Sequence, residues 1–229
     1  MSARICVSIL PKNIVDTLNL ISKAEKTGAD FIEVRMDTLE EMRNLSDITN
    51  STETPLIATN KLLSEKGFFA GTETERQNTL LKAARAGFEF IDVDYFSAKR
   101  AETIAKLKQL GTKTIVSYHK FDGILNAFAM ERILNEQIDS GADVCKIILT
   151  AKNIEDNLPI LSFVNFASQK AKLVCFCMGE AGKTSRLLSP IFGAYFTFAC
   201  IDKESKTAPG QMSIKEMKDA YKLLGIGQP

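Results

Sequence analysis

The chain has 229 residues, 45% hydrophobic and 25% charged, proportions that suit one soluble domain with a sizeable core. Lys and Arg number 29 against 28 Asp and Glu, a formal charge of +1. That balance argues against a nucleic acid or a membrane surface as partner and leaves a small anion, held by a few local cations, open.

A first strand is predicted over 5–10. Met1-Ser2-Ala3-Arg4 runs into it without the h-region of a signal peptide, and no later stretch approaches the ~20 apolar residues that span a bilayer, so a cytoplasmic location is expected. An amphipathic helix over 13–27 follows, then a strand over 31–37. In that strand Glu33, Arg35 and Asp37 share one face, and Ile32, Val34 and Met36 take the other. A short helix near 45–50 precedes a strand over 55–60 and a helix over 74–86. The strand over 88–95 carries Asp92 and Asp94 on one face, and a helix over 98–110 leads to a strand over 113–119 that ends in His119.

A helix over 126–140 comes next, then a strand over 142–149 containing Lys146, a helix over 153–170 and a strand over 172–178. A short helix near 185–191 and a strand over 194–200 complete the alternation. The last helix, over 213–224, opens with Ser213 and Glu216 in capping-box spacing. Gly28, Gly87, Gly111 and Gly141 each follow a predicted helix, where a left-handed cap favours glycine.

Strands that alternate with helices call for parallel pairing, because a parallel partner needs a long crossover. Eight such units in a chain without a linker or low-complexity tract fit a single (β/α)8 barrel over residues 1–229, with a doubly wound open sheet as the alternative. In a barrel, alternate strand residues point inward and chemistry gathers at the strands' C-terminal ends.

Three charged groups on one face of a short strand must pair, meet a ligand or lie exposed. The residues of the second strand do not decide among these. His119 is the only histidine, and it stands at a strand's C-terminal end. That position favours proton transfer over a purely structural role, since imidazole titrates near neutrality. Lys146 lies in the apolar run Val144-Cys145-Lys146-Ile147-Ile148-Leu149, where lysine is rarely found. Its amine either reaches along its stem to the strand's end or stands desolvated near other cations as a nucleophile toward a carbonyl.

Two motifs are decoys. Gly182-Lys183-Thr184 resembles the end of a phosphate-binding loop, but the glycine required five residues earlier is Cys177. Cys6, Cys145, Cys175, Cys177 and Cys200 all lie in apolar runs and read as reduced core thiols. With one histidine in the chain, no metal site is expected.

In order along the chain, Glu33-Val34-Arg35, Ile91-Asp92-Val93-Asp94, Ser117-Tyr118-His119, Lys146, Met178, Ser185-Arg186-Leu187 and Ala208-Pro209-Gly210-Gln211 resemble type I 3-dehydroquinate dehydratases of the shikimate pathway. The resemblance implies a (β/α)8 barrel, a homodimer without a cofactor, and 3-dehydroquinate as substrate. It implies that Lys146 forms an imine with the ketone and that His119 moves the protons. Asp94, where many members have glutamate, would orient His119. Arg186 would hold the substrate carboxylate. Ser8, Glu33, Arg35, Lys61, Met178, Thr207 and Gln211 would hold ring hydroxyls or close the site. Lys61 falls near a usual arginine, Thr207 replaces a usual serine, and Lys120 stands where aspartate or asparagine is common. A related Schiff-base aldolase and a non-catalytic binding barrel are the competing readings. A class I aldolase acting on phosphorylated substrates would need a phosphate site after the seventh and eighth strands, where Arg186 and Gln211 suit a carboxylate and hydroxyls better.

Overall fold

The computed structural model describes residues 3–227. Eight parallel strands form the sheet: β1 Ile5–Ile9, β2 Phe31–Arg35, β3 Leu56–Thr59, β4 Phe90–Asp94, β5 Lys113–His119, β6 Val144–Thr150, β7 Leu173–Met178 and β8 Thr197–Ala199. Their order is β7-β6-β5-β4-β3-β2-β1-β8. The two ends of that order meet, since the Tyr195 amide before β8 donates to Leu173 O of β7 at 2.7 Å. The result is a nearly closed barrel, not the open sheet. The helices are α1 Ile14–Lys26, α2 Leu45–Thr49, α3 Glu73–Arg85, α4 Arg100–Gln109, α5 Ala127–Asp139, α6 Asn157–Ala167, α7 Lys183–Leu188 and α8 Ile214–Leu223.

Local chemistry explains most boundaries. The expected box at Ser213 and Glu216 caps α8, and Thr72 with Glu75 makes a second box that starts α3. Gly28, Gly87, Gly111 and Gly141 all take positive φ after their helices. Four elements depart from expectation. The second strand stops at Arg35, because Asp37 turns back through a 3-10 turn to bind the Arg35 guanidinium and accept the Phe68 amide at 3.0 Å. The predicted seventh helix is α7 followed by a 3-10 turn over Ser189–Phe192, where Pro190 has no N–H to continue the ladder. A 3-10 turn over Ile154–Asp156 precedes the sixth helix, and β8 is only three residues long. Gly182 packs against β7: a Cβ there would lie 2.6 Å from Cys177 O, which accounts for the glycine of the phosphate-loop decoy.

Outward strand residues such as Val7, Val34, Ile91 and Leu149 pack under the helices. Inside the barrel, Cys6, Phe31, Ile57, Phe90, Ile115, Val144, Val174 and Phe196 build an apolar floor, with Phe31 and Phe196 at 4.7 Å between ring centroids. Each fully buried aromatic there contributes about 1.5–3 kcal/mol of transfer free energy. One step up strands β1 to β6 the inward face turns polar, and the register aligns Ser8 with Glu33, Thr59 with Asp92, and Ser117 with Lys146, whereas β7 and β8 continue with Phe176 and Phe198. The floor excludes water below. The polar layer above it opens into the site.

Candidate active site

Above the floor lies a cavity of about 260 Å³ at the C-terminal ends of the strands. Its walls bring together Glu33, Arg35, Lys61, His119, Lys146 and Met178 from the β2, β3, β5, β6 and β7 side, and Arg186, Thr207 and Gln211 from the segments flanking β8. Ser8 and Asp94 stand behind this wall. All five cysteines are free and buried. Among the described residues, no group of three or more His, Cys, Asp or Glu side chains is placed to hold a metal ion.

Lys146 does point inward. Its Nζ lies 3.0 Å from Asp92 Oδ2, 3.5 Å from Glu33 Oε1 and 4.4 Å from the Phe198 ring centroid. The desolvated amine is therefore met by two carboxylates. Asp92 is the hub of the cluster: its other oxygen accepts from Lys61 Nζ at 3.1 Å and from Ser117 Oγ at 2.6 Å. Burial opposes charge on Asp92, yet Lys146, Lys61 and Ser117 hold its carboxyl far below the usual range. Glu33 accepts from Ser8 Oγ at 2.5 Å and Thr59 Oγ1 at 2.9 Å, so Ser8 serves the site by fixing Glu33.

His119 lines the cavity from the end of β5. Burial, then the ammonium groups of Lys61 and Lys146, push its imidazole well below its ordinary value of 6.5, with Asp92 opposing. It is uncharged at neutral pH and able to accept a proton. The expected partnership with Asp94 is not formed: among the described residues no hydrogen bond joins the two. Asp94 pairs in register with Ser117, not with His119, and its short side chain curls back to accept the Phe96 amide at 2.8 Å while facing Lys61 at 3.4 Å.

Lys61 also differs from expectation. It lines the cavity, but its amine is occupied by Asp92, Asp94 and Ser117, and these carboxylates hold it as an ammonium against its burial. Arg35 is likewise committed, forked onto Asp37 at 2.8 and 2.6 Å. Lys120 lies outside the cavity and pairs with Asp122 at 2.9 Å.

Among the described residues, Arg186 has no such partner. It is 1% exposed, stacks over Phe176 at 4.4 Å and reaches only the carbonyls of Phe198 and Pro209, at 3.4 and 3.5 Å. Its Nε has no partner, and burial pulls the guanidinium down to about 10, which still leaves it charged at neutral pH. A buried cation without an anion is costly unless a ligand supplies one. Thr207 and Gln211 stand beside it, joined by Thr207 N donating to Gln211 Oε1 at 2.7 Å.

The sequence reading missed Asp92 as the hub, along with the supporting hydroxyls of Thr59 and Ser117. Counting inward by twos from Asp94 and His119 finds Asp92 and Ser117. Glu65, which lines the cavity from the loop after β3, carries no comparable signal.

Residues 5–228 match the family described as Type I 3-dehydroquinase. The chain belongs to the type I 3-dehydroquinase family. A 3-dehydroquinate dehydratase from Desulfotalea psychrophila is 34% identical over 96% of this chain and 97% of its own length. One from Methanothrix thermoacetophila is 33% identical over 92% of this chain and 88% of its own. Among solved structures, the type I 3-dehydroquinate dehydratase of Clostridium difficile, with covalent modified comenic acid, superposes with a TM-score of 0.87 at 26% identity. That match covers 97% of this chain and 92% of the other. As a type I 3-dehydroquinase the chain is a lyase of the hydro-lyase class.

Proposed function

We propose that the chain converts 3-dehydroquinate to 3-dehydroshikimate in the shikimate pathway, through a Schiff base on Lys146. One observation carries this reading. A single cavity holds a lysine among carboxylates, beside an uncharged histidine, and also a buried arginine that no carboxylate balances.

Arg186 takes the substrate carboxylate, where a guanidinium fork suits a planar anion. That anchors the ring with its ketone toward Lys146. With His119 accepting its proton, the amine adds to the ketone, and the same proton returned to the carbinolamine hydroxyl lets water leave to give the iminium. The iminium draws electron density from the adjacent carbon, and His119 takes that carbon's proton. His119 returns a proton to the hydroxyl on the next carbon, which departs as water. Hydrolysis then restores the amine and releases the enone. The iminium on Lys146 is the electron sink, so the route needs no cofactor. Glu33, Arg35, Thr207 and Gln211 hold the ring hydroxyls, and Met178 closes the wall. Lys61 works from the cavity wall, balancing Asp92 and Asp94. Two copies are expected to form a homodimer, which light scattering of the purified protein tests.

The deciding assay follows the ultraviolet absorbance of the conjugated enone when purified protein meets 3-dehydroquinate. Borohydride added during turnover should stop the rise and leave a label on Lys146. No enone would sink the activity. An enone without a trapped adduct would keep the dehydration and reject the Schiff base.

A further inference from the structure

Gln137 sits near the end of α5, is 0% exposed, and shares the buried side of that helix with the apolar Met130, Ile133 and Leu134. Its Nε2 donates to two strand carbonyls at once, Val116 O of β5 and Lys146 O of β6, both at 2.9 Å. Its Oε1 is buried with no partner among the described residues. An amide half satisfied in an apolar core burdens the fold in a way that a methionine of similar shape would not. Its two bonds therefore call for an explanation beyond packing.

They fall at one place on the seam between β5 and β6. Lys146 pairs in register with Ser117, the residue after Val116, and His119 lies two residues further along β5. Ser117 Oγ is tied to Asp92 at 2.6 Å, and Asp92 holds Lys146 Nζ at 3.0 Å. The backbone of α5 is itself fixed at this point, since Gln137 O accepts from Ser140 Oγ at 2.8 Å and from the Ala142 amide at 3.1 Å. The helix thus reaches over the outside of the barrel and clamps both strands at the level of the amine.

We propose that Gln137 is a positioning residue, which straps β5 to β6 and so sets the reach of Lys146 relative to His119. The consequence for turnover rests on the Schiff-base reading above. The strap itself does not. Addition to the ketone and proton transfer by His119 both need near-attack geometry, and small displacements of the reacting groups are expensive in rate.

The test compares the parent with Gln137→Met, which keeps the volume and removes both donors, and Gln137→Glu, which when buried stays protonated and keeps one O–H donor. In Gln137→Met, kcat and the single-turnover rate of borohydride-trapped adduct should fall about tenfold or more, with KM changed less than about twofold, since Arg186 is untouched. Gln137→Glu should lie between the two. The thermal midpoint of Gln137→Met should be no lower than the parent's. Substrate-free amide exchange in the peptides covering 113–119 and 144–150 should quicken, while that of 5–9 and 31–35 stays as in the parent.

Parental kcat and trapping in Gln137→Met would overturn the proposal. So would a rate loss that tracks a lowered midpoint, or unchanged exchange at the seam. Quickened exchange alongside a parent that forms no Lys146 adduct would support the strap and reject the Schiff-base reading instead.

Discussion

Two sides of the same cavity treat charge in opposite ways. From β2 to β6, each of the cations Arg35, Lys61 and Lys146 has a carboxylate within 3.1 Å, and Asp92 serves two of them. Toward β8, Arg186 has among the described residues only carbonyls and an aromatic face. Removing one member of a buried pair costs about 3–5 kcal/mol, so a self-balanced cluster is a durable place to hold an amine and pass protons. A side left with surplus positive charge is instead completed by what binds. On the proposed reading, the cluster side would perform the chemistry and the arginine side would choose the substrate.

Lys146→Ala strikes the cluster hardest. Asp92 would keep Lys61 and Ser117, and Glu33 would keep Ser8 and Thr59, so the fold should survive while nearly all turnover and all borohydride label disappear. Label appearing on the exposed Lys152, or on Lys183 beside Glu180, would move the covalent step elsewhere.

His119→Ala comes next. It should still form adduct, slowly, and turn over at least about a hundredfold slower, the low end for a lost general acid–base group. Mass spectrometry of that variant with substrate should show the imine-linked species accumulating. Near-normal turnover would pass the proton transfers to Glu33 or Asp94. The pH dependence has a definite sign. The folded imidazole titrates well below 6.5, so its contribution to stability is complete above that pH and is lost as pH falls further. The loss reaches up to about 1.4 kcal/mol per pH unit, because the unfolded chain takes up the proton first. His119→Ala should flatten this slope in acid denaturation curves.

Arg186→Ala tests the other side. Substrate binding should weaken by about 1.5–3 kcal/mol, the range for hydrogen bonds to a charged group, and adduct chemistry on Lys146 should persist at saturating substrate. Arg186→Lys should recover only part, since an ammonium cannot make the paired fork. An unchanged KM and kcat/KM in the alanine variant would remove the division between the two sides.

How much of this was legible in the sequence follows from which signals are local. Period-two alternation grouped Glu33 with Arg35 on one face of the second strand and set Lys146 and His119 inward, and the capping box at Ser213 placed α8, because both depend on near neighbours in the chain. The contacts of Asp94 were not legible because register across β4 and β5 is set by the barrel's stagger, which no single strand encodes. The difference between Asp92, two oxygens deep in the cluster, and Asp94, curled onto Phe96, appears only once the strands are paired. The same holds for Lys61 and Arg186. Both are cations near the site, and only tertiary packing gives one its carboxylates and denies them to the other.

Asp94→Asn sharpens that point with a smaller effect. It removes a charge at 3.4 Å from Lys61 and spares the bond from the Phe96 amide, so turnover should drop only a few-fold, within the ~1 kcal/mol of a modest polar contact. Asp92→Asn, which strips the hub from two ammonium groups at once, should cost clearly more in kcat. Equal effects would show that Asp94 bears on His119 after all, by a path that opens when substrate enters.

The smallest effect is expected in the loop over 206–211, which we take to be a lid on the arginine side. Its last turn is seated closely: Pro209 O accepts the Gly179 amide at 3.2 Å and Arg186 at 3.5 Å, and a Cβ on Gly210 would fall 2.0 Å from Gly179 O. The approach to it is looser, an exposed turn in which Asp202 accepts the amides of Glu204 and Ser205. A substrate carboxylate on Arg186 competes with Pro209 O for the guanidinium and offers Thr207 and Gln211 a new partner, so binding should tighten the loop's polar contacts. Hydrogen exchange at 206–211 should be fast in the free protein and slow after borohydride trapping, while β4 to β6 stay protected in both states. Equal protection of the loop in the two states would make it a fixed wall, with Gln211 touching substrate from a rigid position. Gly210→Ala adds an independent handle, because both the positive φ and the approach to Gly179 penalise a side chain there. If seating the loop is what completes the anion site, that variant should raise KM and leave the rate of adduct formation at saturating substrate close to the parent's.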